Sequence, residues 1–469
     1  MNLVWFKSTD LRIIDNEVLK SAFDNNLETI LIFCIDPNFY KNLKFGERKF
    51  SDFKLKFLYE SVLDLYQNIK KYNGYLNIYF DSPENIIPEL VKKYNITEIF
   101  HFRDTTNDEL AQLRIIKEKI AFQQEKQMTK KLSKETEIKE FWGNTVFHID
   151  DLPFLIENSP SVFTNFREQL NIKKIRKETN IDVNKLKNSI FDIDNIEILK
   201  KLNSDLNINL RFKGGETEAR KRLIYYFYEK HFLSNYKNTR NNLLGDNFSS
   251  KFSPYLAFGN ISGKSIVLEI FKYEKNIEKN ASTYWLFFEL IWRDFFRFSS
   301  LKYKNSLFQL NGIKNKKLNW IKNNKKTDEL FNKWKTGKTG YPYIDANMIE
   351  LNKTGYMSNR GRQMVASFLV KDLKIDWRRG AEYFESLLID HDVASNYGNW
   401  NYAAGIGADP REDRYFNVYK QANRYDKTCK FVLNWIPELK DHDTDNIINV
   451  NNLNYYPPIV NIKKGYLRF

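Results

Sequence analysis

Three stretches of this 469-residue chain set polar and aromatic side chains at spacings that could build a ligand site. In the run from Tyr284 to Phe296, helical periodicity aligns Trp285, Glu289, Trp292, Arg293 and Phe296 along one face. A core helix with an internal ion pair would account for that stripe. So would a pocket for a polar aromatic ligand: Leu286, Phe287 and Leu290 make the opposite face apolar, so the charged stripe also turns inward, where charge needs partners. The segment Phe248–Leu256 gathers Ser249, Ser250, Lys251, Phe252 and Ser253 just ahead of Pro254, a residue suited to a first helical turn. It reads as an ordinary helix N-cap or as a phosphate cradle at the positive end of a helix. The third segment, Leu387–Tyr402, ends an apolar run in Asp390, His391 and Asp392, followed by Asn396 and Trp400. One local histidine is too few for a metal site, and Arg360 and Arg362 upstream are better counter-ions. No metal is expected, and no Ser–His–Asp or Cys–His set follows from the spacing.

The elements that must position these residues fall into two kinds of text. Short apolar runs at Leu3–Phe6, Thr29–Ile35, Leu76–Phe80, Glu98–Phe102 and Thr145–Ile149 alternate with amphipathic stretches such as Lys54–Lys71 and Asp108–Lys126. That alternation predicts an α/β, Rossmann-like parallel sheet with helices on both faces. No GxGxxG follows the first run, so the sheet is not the obvious cofactor seat. From about Met128 to Asn209 the text turns polar and reads as a connection that wraps rather than packs. After Arg211 it becomes helical almost throughout, and seven of the nine Trp lie beyond residue 280. The expected organisation is an α/β domain over 1–130, a connection over 131–209 and an all-α domain over 210–469.

With 74 Lys+Arg against 59 Asp+Glu, the net charge of +15 attracts polyanions, nucleic acid first and an anionic membrane surface second. Nucleotide bias toward Lys and Asn codons would give a similar excess. Asn315–Lys338 interleaves lysines with Trp320 and Trp334, and Arg378 and Arg379 add charge. Such text suits a phosphate-tracking groove with stacking rings, or a solvated loop. Two cysteines, Cys34 and Cys429, exclude a disulfide framework and four-Cys metal or cluster sites. The opening residues lack a signal-peptide pattern, and no apolar run approaches the ~18 residues that span a bilayer. A cytoplasmic, membrane-free protein is expected.

The stretches Arg211–Thr217, Ser249–Tyr255, Trp285–Phe296, Asp345–Met348, Gly355–Gln363 and Asp390–Trp400, in that order, resemble the motif series of the photolyase/cryptochrome family. Trp5-Phe6, Leu11-Arg12 and Asp15-Asn16 resemble its opening. Trp142–Thr145, Phe163–Arg167, Tyr236–Asn241 and Asn359–Gln363 are similar to the DASH cryptochromes.

The resemblance implies a U-shaped FAD inside the helical domain. Tyr236 and Ser249–Ser253 would hold its phosphates and adjacent groups. Trp285, Glu289, Trp292, Arg293 and Phe296 would line the pocket, with Asn359, His391 and Asp392 close by. Arg362 should pair with Asp390, and Asn396 should face the flavin N5. Trp400, Trp377 and Trp320 map to an electron relay running from flavin to surface. The implied reaction is blue-light-driven repair of cyclobutane pyrimidine dimers in DNA by electron transfer from reduced flavin, through a lesion extruded from the stack. Glu289, Trp292, Gln363 and Tyr402 would meet the lesion. Conventional dimer photolyases hold Met and Trp at the last two positions; the more polar pair here fits a preference for single strands. A folate antenna, 5,10-methenyltetrahydrofolate, is expected near Cys34 and Asp104, where the family more often shows Glu. A monomer is expected. The alternative is a blue-light signalling cryptochrome; the short text after the last helical pattern favours repair.

Overall fold

In a computed structural model, residues 1–128, 135–411 and 414–462 are described. Five strands, β1 (Asn2–Phe6), β2 (Thr29–Cys34), β3 (Leu76–Tyr79), β4 (Glu98–Phe102) and β5 (Glu137–Phe141), form one sheet in the order β3-β2-β1-β4-β5. Every pairing is parallel, with Leu3 opposite Ile30 and Ile99. Parallel strands need crossovers, and helices α1 (Glu17–Asp24), α2 (Asp52–Lys70), α3 (Pro83–Tyr94) and α4 (Asn107–Met128) supply them. Alternation along β1 sends Leu3 and Trp5 into a core under α3 and α4, and Val4 and Phe6 into one under α1 and α2. Both faces are therefore covered, which is why the central strands are continuous apolar runs.

The fifth strand corrects the sequence expectation of Thr145–Ile149. Glu137–Phe141 takes the edge position with polar residues on its open side. The backbone N–H groups of Val146 and Phe147 instead donate to the buried Asp294 carboxylate, at 2.9 and 3.0 Å. An apolar run thus became a loop, because a side chain of the helical half satisfied its donors. The connection also differs from expectation: Phe163, Phe166, Leu186, Ile196 and Leu199 are buried in the main core, so it packs as well as wraps. Residues 131–134, where it was expected to begin, lie outside the described residues.

The helical half holds the site. Its longest helix, Ala281–Tyr303, opens with a capping box between Asn280 and Thr283. Helix Val393–Ala404 starts on Asp392, whose side chain accepts from the Ser395 N–H, and stops at Gly405 in the left-handed region. The two helices pack at Gly398, where a Cβ would overlap the Phe296 ring. A second core surrounds the fully buried Trp334 and Trp377. Among the described residues, no helix is long and apolar enough to cross a membrane.

Candidate functional site

The three segments singled out by residue type converge. Ser253 Oγ donates to Asp390 Oδ2 at 2.6 Å, tying the serine segment to the acidic turn. Arg362, from the Asn359–Ser367 helix, reaches the same oxygen at 2.7 Å. Arg293 donates to the Leu256 carbonyl at 2.9 Å and lies 3.8 Å from Asp392. Arg297, one turn further along the same helix, completes the tie with a 2.5 Å contact to Asp392.

Electrostatics follow from that wiring. Burial alone would raise the Asp392 carboxyl, but Arg297, Arg293 and the Ser395 N–H override it and hold the group well below the usual aspartate range. Arg293 is itself lowered to about 10 by burial and the neighbouring Arg297, against the pull of Asp392 and Asp294. Glu289 is raised by burial and partly rescued by Arg240, which bonds it at 2.7 Å. Trp285, Glu289, Trp292 and Arg293 are partly open, whereas Leu286, Phe287, Leu290 and Ile291 are buried. Lys237 and Arg240 stand over the Trp285 ring at 4.8 and 5.9 Å.

A buried flavin nucleotide fits this donor set. Asp390 is buried, and its Oδ1 has no hydrogen-bond partner while Oδ2 has two. An orphaned carboxylate oxygen between an arginine and a serine needs a further donor, which a ligand N–H or O–H supplies. The Asn396 amide is also oriented. Its nitrogen donates to the Ala381 carbonyl at 2.9 Å, and a carbonyl can only accept, so Oδ1 is left as the free acceptor. Short helix Ser253–Ala257 has no side-chain cap, and the carbonyls of Ser249 and Ser250 are held by Arg222 at 3.2 and 2.9 Å. Tyr236 is buried beside Glu289.

Other expected residues lie elsewhere or do something different. Lys251 is buried with φ +58°, its ammonium over Phe248 and Tyr356 at 3.3 and 4.7 Å, so it meets rings instead of an open cradle. Asn359 is exposed at the start of its helix and is not brought into the cluster. His391 turns toward Glu385, 3.9 Å away. Trp292 stacks on Phe163 at 3.7 Å, which covers one of its faces, and meets Tyr402 edge-on at 6.2 Å. Arg414 donates to the Tyr402 hydroxyl, and Arg360 to the Gln363 amide oxygen, at 2.8 and 2.7 Å. Arg360 is thus an orienting donor where the sequence suggested a counter-ion. Trp400 and Trp377 are buried and Trp320 partly open.

In the lysine-rich stretch, Trp334 is fully buried and its N–H bonds the Val365 carbonyl, so it cannot stack on a nucleic-acid base. Arg378 and Arg379 are paired with Asp376 and Asp328. Phe163 and Arg240 fall in motif segments of the sequence that were given no site role, and Arg297 and Arg222 were not singled out at all. Arg297 was within reach, since it extends the charged stripe by one turn from Arg293.

A cavity of about 480 Å³ opens at the carboxyl ends of β1, β2 and β4 and runs to the helical half. Cys34 and Asp104 both line it, with Lys7, Lys49, Lys54, Glu109 and His391. The strand order reverses between β1 and β4, the place where open α/β sheets bind ligands. Asp104 is paired with Lys7, and Thr106 bonds Glu109 at 2.6 Å.

Comparison with known proteins finds matches at both ends of the chain. Residues 2–181 match the family described as DNA photolyase, and residues 285–468 match the FAD binding domain of DNA photolyase. The chain is 41% identical to the chloroplastic/mitochondrial cryptochrome DASH of Arabidopsis thaliana, over 99% of this chain and 80% of that one. It is 42% identical to cryptochrome DASH of Synechocystis sp., over 95% and 89%. The crystal structure of a Synechocystis cryptochrome superposes with a TM-score of 0.88 at 39% identity, covering 98% and 96% of the two chains. An archaeal photolyase from Sulfolobus tokodaii, solved with two FAD molecules, gives 0.77 at 27% identity over 98% and 96%. The chain belongs to the photolyase/cryptochrome family, is of the DASH cryptochrome type, and carries a photolyase-type FAD-binding domain.

Proposed function

We propose that this protein is a blue-light-dependent photolyase of the DASH type, which repairs cyclobutane pyrimidine dimers in DNA and prefers single strands. The observation that carries the reading is the knot of Ser253, Arg362 and Asp390, with one buried carboxylate oxygen left for a ligand donor. When bound, FAD supplies the light absorption and the electron. The chain's residues bind and orient it. Asp390 would accept from the cofactor, Arg362 and Ser253 hold that carboxylate in place and aimed, and Asn396 Oδ1 would hold a proton carried on the flavin N5. Tyr236, Trp285, Arg293, Phe296, Asp392 and the Ser249–Ser253 segment would line the same site. Within the segment, the carbonyls fixed by Arg222 leave its N–H groups for phosphate. Trp400, Trp377 and Trp320 would carry electrons inward.

The lesion would enter beside Trp292 and Tyr402, with Glu289 and the Gln363 amide reading pyrimidine edges. Arg360 occupies the Gln363 amide oxygen, so its NH₂ group is the end free to donate to a base carbonyl. A single strand lowers the cost of extruding the dimer, because no pairing is lost. Reduced protein loaded with FAD should clear dimers from a single-stranded oligonucleotide under blue light and leave them in the dark. Intact dimers after illumination would refute repair and favour the signalling alternative.

The cavity at the strand ends is the proposed antenna seat, with 5,10-methenyltetrahydrofolate as its occupant. Its carboxylates Asp104 and Glu109 suit the amino and amide groups of a pterin, and its lysines suit a glutamate tail. The archaeal relative's second FAD makes flavin the competing occupant; a near-ultraviolet band lost in Asp104→Asn would favour folate. The reading includes a monomer with domains over 1–130, 131–209 and 210–469. Two buried, unpaired thiols support a reducing, cytoplasmic setting for this chain.

A further inference from the structure

Trp377 is fully buried, and its indole N–H donates to the Leu310 carbonyl at 3.1 Å. A backbone carbonyl accepts a hydrogen bond but takes no proton. An oxidised Trp377 therefore keeps its proton and stays a cation in an apolar setting, where charge is costly. It relaxes by drawing in an electron.

The rings around the two inner indoles differ in whether they can give one. Trp400 packs against Phe384 and Trp334, at 5.2 and 6.4 Å. Phe384 has no acidic proton, and the Trp334 N–H again meets only a carbonyl. Beside Trp377, the Tyr397 ring stands edge-on at 6.1 Å. Its hydroxyl donates to Glu385 Oε2 at 3.0 Å, and Glu385 is buried. This phenol has a base already in place.

The surroundings keep that base supplied and connected. Lys54 donates to the Glu385 main-chain carbonyl at 2.6 Å, and His391 Nε2 lies 3.9 Å from the carboxylate. Glu382, on the same helix, and Asp108, on α4, also act on Tyr397. Glu385, Lys49, Lys54 and His391 all line the 480 Å³ cavity, so a proton received by Glu385 has polar groups to pass to.

We propose that Tyr397 is a proton-coupled electron donor to Trp377, with Glu385 as its proton acceptor. The proposal rests on the flavin reading above, because the oxidant is the Trp377 radical cation left when the relay gives an electron to the photoexcited flavin. One electron passes from the phenol to the indole cation. The phenolic O–H bond breaks and a carboxyl O–H bond forms on Glu385. Trp377 returns to a neutral indole, Tyr397 becomes a neutral phenoxyl radical, and Glu385 becomes a carboxylic acid. A buried cation and a buried anion disappear together, and net charge is conserved. The hole is then stored as a neutral phenoxyl whose re-reduction needs its proton back from Glu385, so charge recombination slows.

The test is flash photolysis of FAD-loaded protein with oxidised flavin, read by electron paramagnetic resonance and transient absorption in H₂O and D₂O. A tryptophan radical should decay as a tyrosyl radical grows, and more slowly in D₂O. In Tyr397→Phe the tyrosyl signal should vanish and the tryptophan radical should live about tenfold longer. Glu385→Gln keeps an acceptor for the hydroxyl but removes the base. It should show the same loss, which a merely structural hydrogen bond would not produce. A tryptophan radical with no tyrosyl radical in the parent overturns the proposal, as does a tyrosyl signal that survives Tyr397→Phe. Failure of the bound flavin to photoreduce at all, with no radical of either kind, overturns the relay reading itself and this step with it.

Discussion

Asp392 does several jobs with one carboxylate: it caps a helix, pairs with Arg297 and stands 3.8 Å from Arg293. Its folded pKa is depressed, so its stabilisation is complete above the ordinary value of 3.8 and is lost as pH falls toward the folded one. Asp392→Asn leaves Arg297 buried without its counter-charge, which should cost roughly 3–5 kcal/mol at neutral pH. The gap between variant and parent should close as pH drops below the ordinary aspartate value. Urea midpoints at neutral and acid pH check this, and a pH-independent gap would contradict it. If Glu289 reads a lesion edge as proposed, Glu289→Ala should slow dimer repair by about tenfold or more, and Arg240 loses its partner. Flavin absorbance of the purified variant tells whether the loss is in the reaction or in cofactor retention.

Helices set the precision with which such residues meet. The approach of Val393–Ala404 to Ala281–Tyr303 depends on Gly398, because Phe296 occupies the space a Cβ would need. Gly398→Ala should therefore push the helices apart, at a cost of about 1–3 kcal/mol despite alanine's better helix propensity. Asp392, Asn396 and Trp400 ride on the same segment, so flavin content should fall along with thermal stability. A variant as stable as the parent, with full flavin content, would mean that Phe296 yields instead. The charged stripe of the long helix was legible from spacing alone because helical geometry is local. Arg222 was not, since its hold on Ser249 and Ser250 spans 27 and 28 residues of chain.

For the whole molecule, the excess of fifteen positive charges should act on DNA as a field. Binding to a single-stranded oligonucleotide should weaken steeply with salt, with a log–log slope near −0.7 for each phosphate neutralised. Fluorescence anisotropy across salt concentrations reads that slope, and a flat response would remove the electrostatic docking reading. Trp334 contributes nothing to such docking, because it fills the second core. Its neighbours in sequence, Lys333 and Lys335, gave it the look of a surface ring.

The sequence by itself determined the two-part architecture, four of the five strands and the three segments that converge. Periodicity and turn chemistry are local, and the ordered motifs carry their spacing on the chain. Only the tertiary structure decided which partner each charge meets, that the fifth strand is Glu137–Phe141, and that the strand ends open into a cavity of about 480 Å³. It alone also brought Tyr397 and Glu385 beside Trp377. Those outcomes depend on competition between distant groups for the same donors and the same space, and no stretch of sequence contains both competitors.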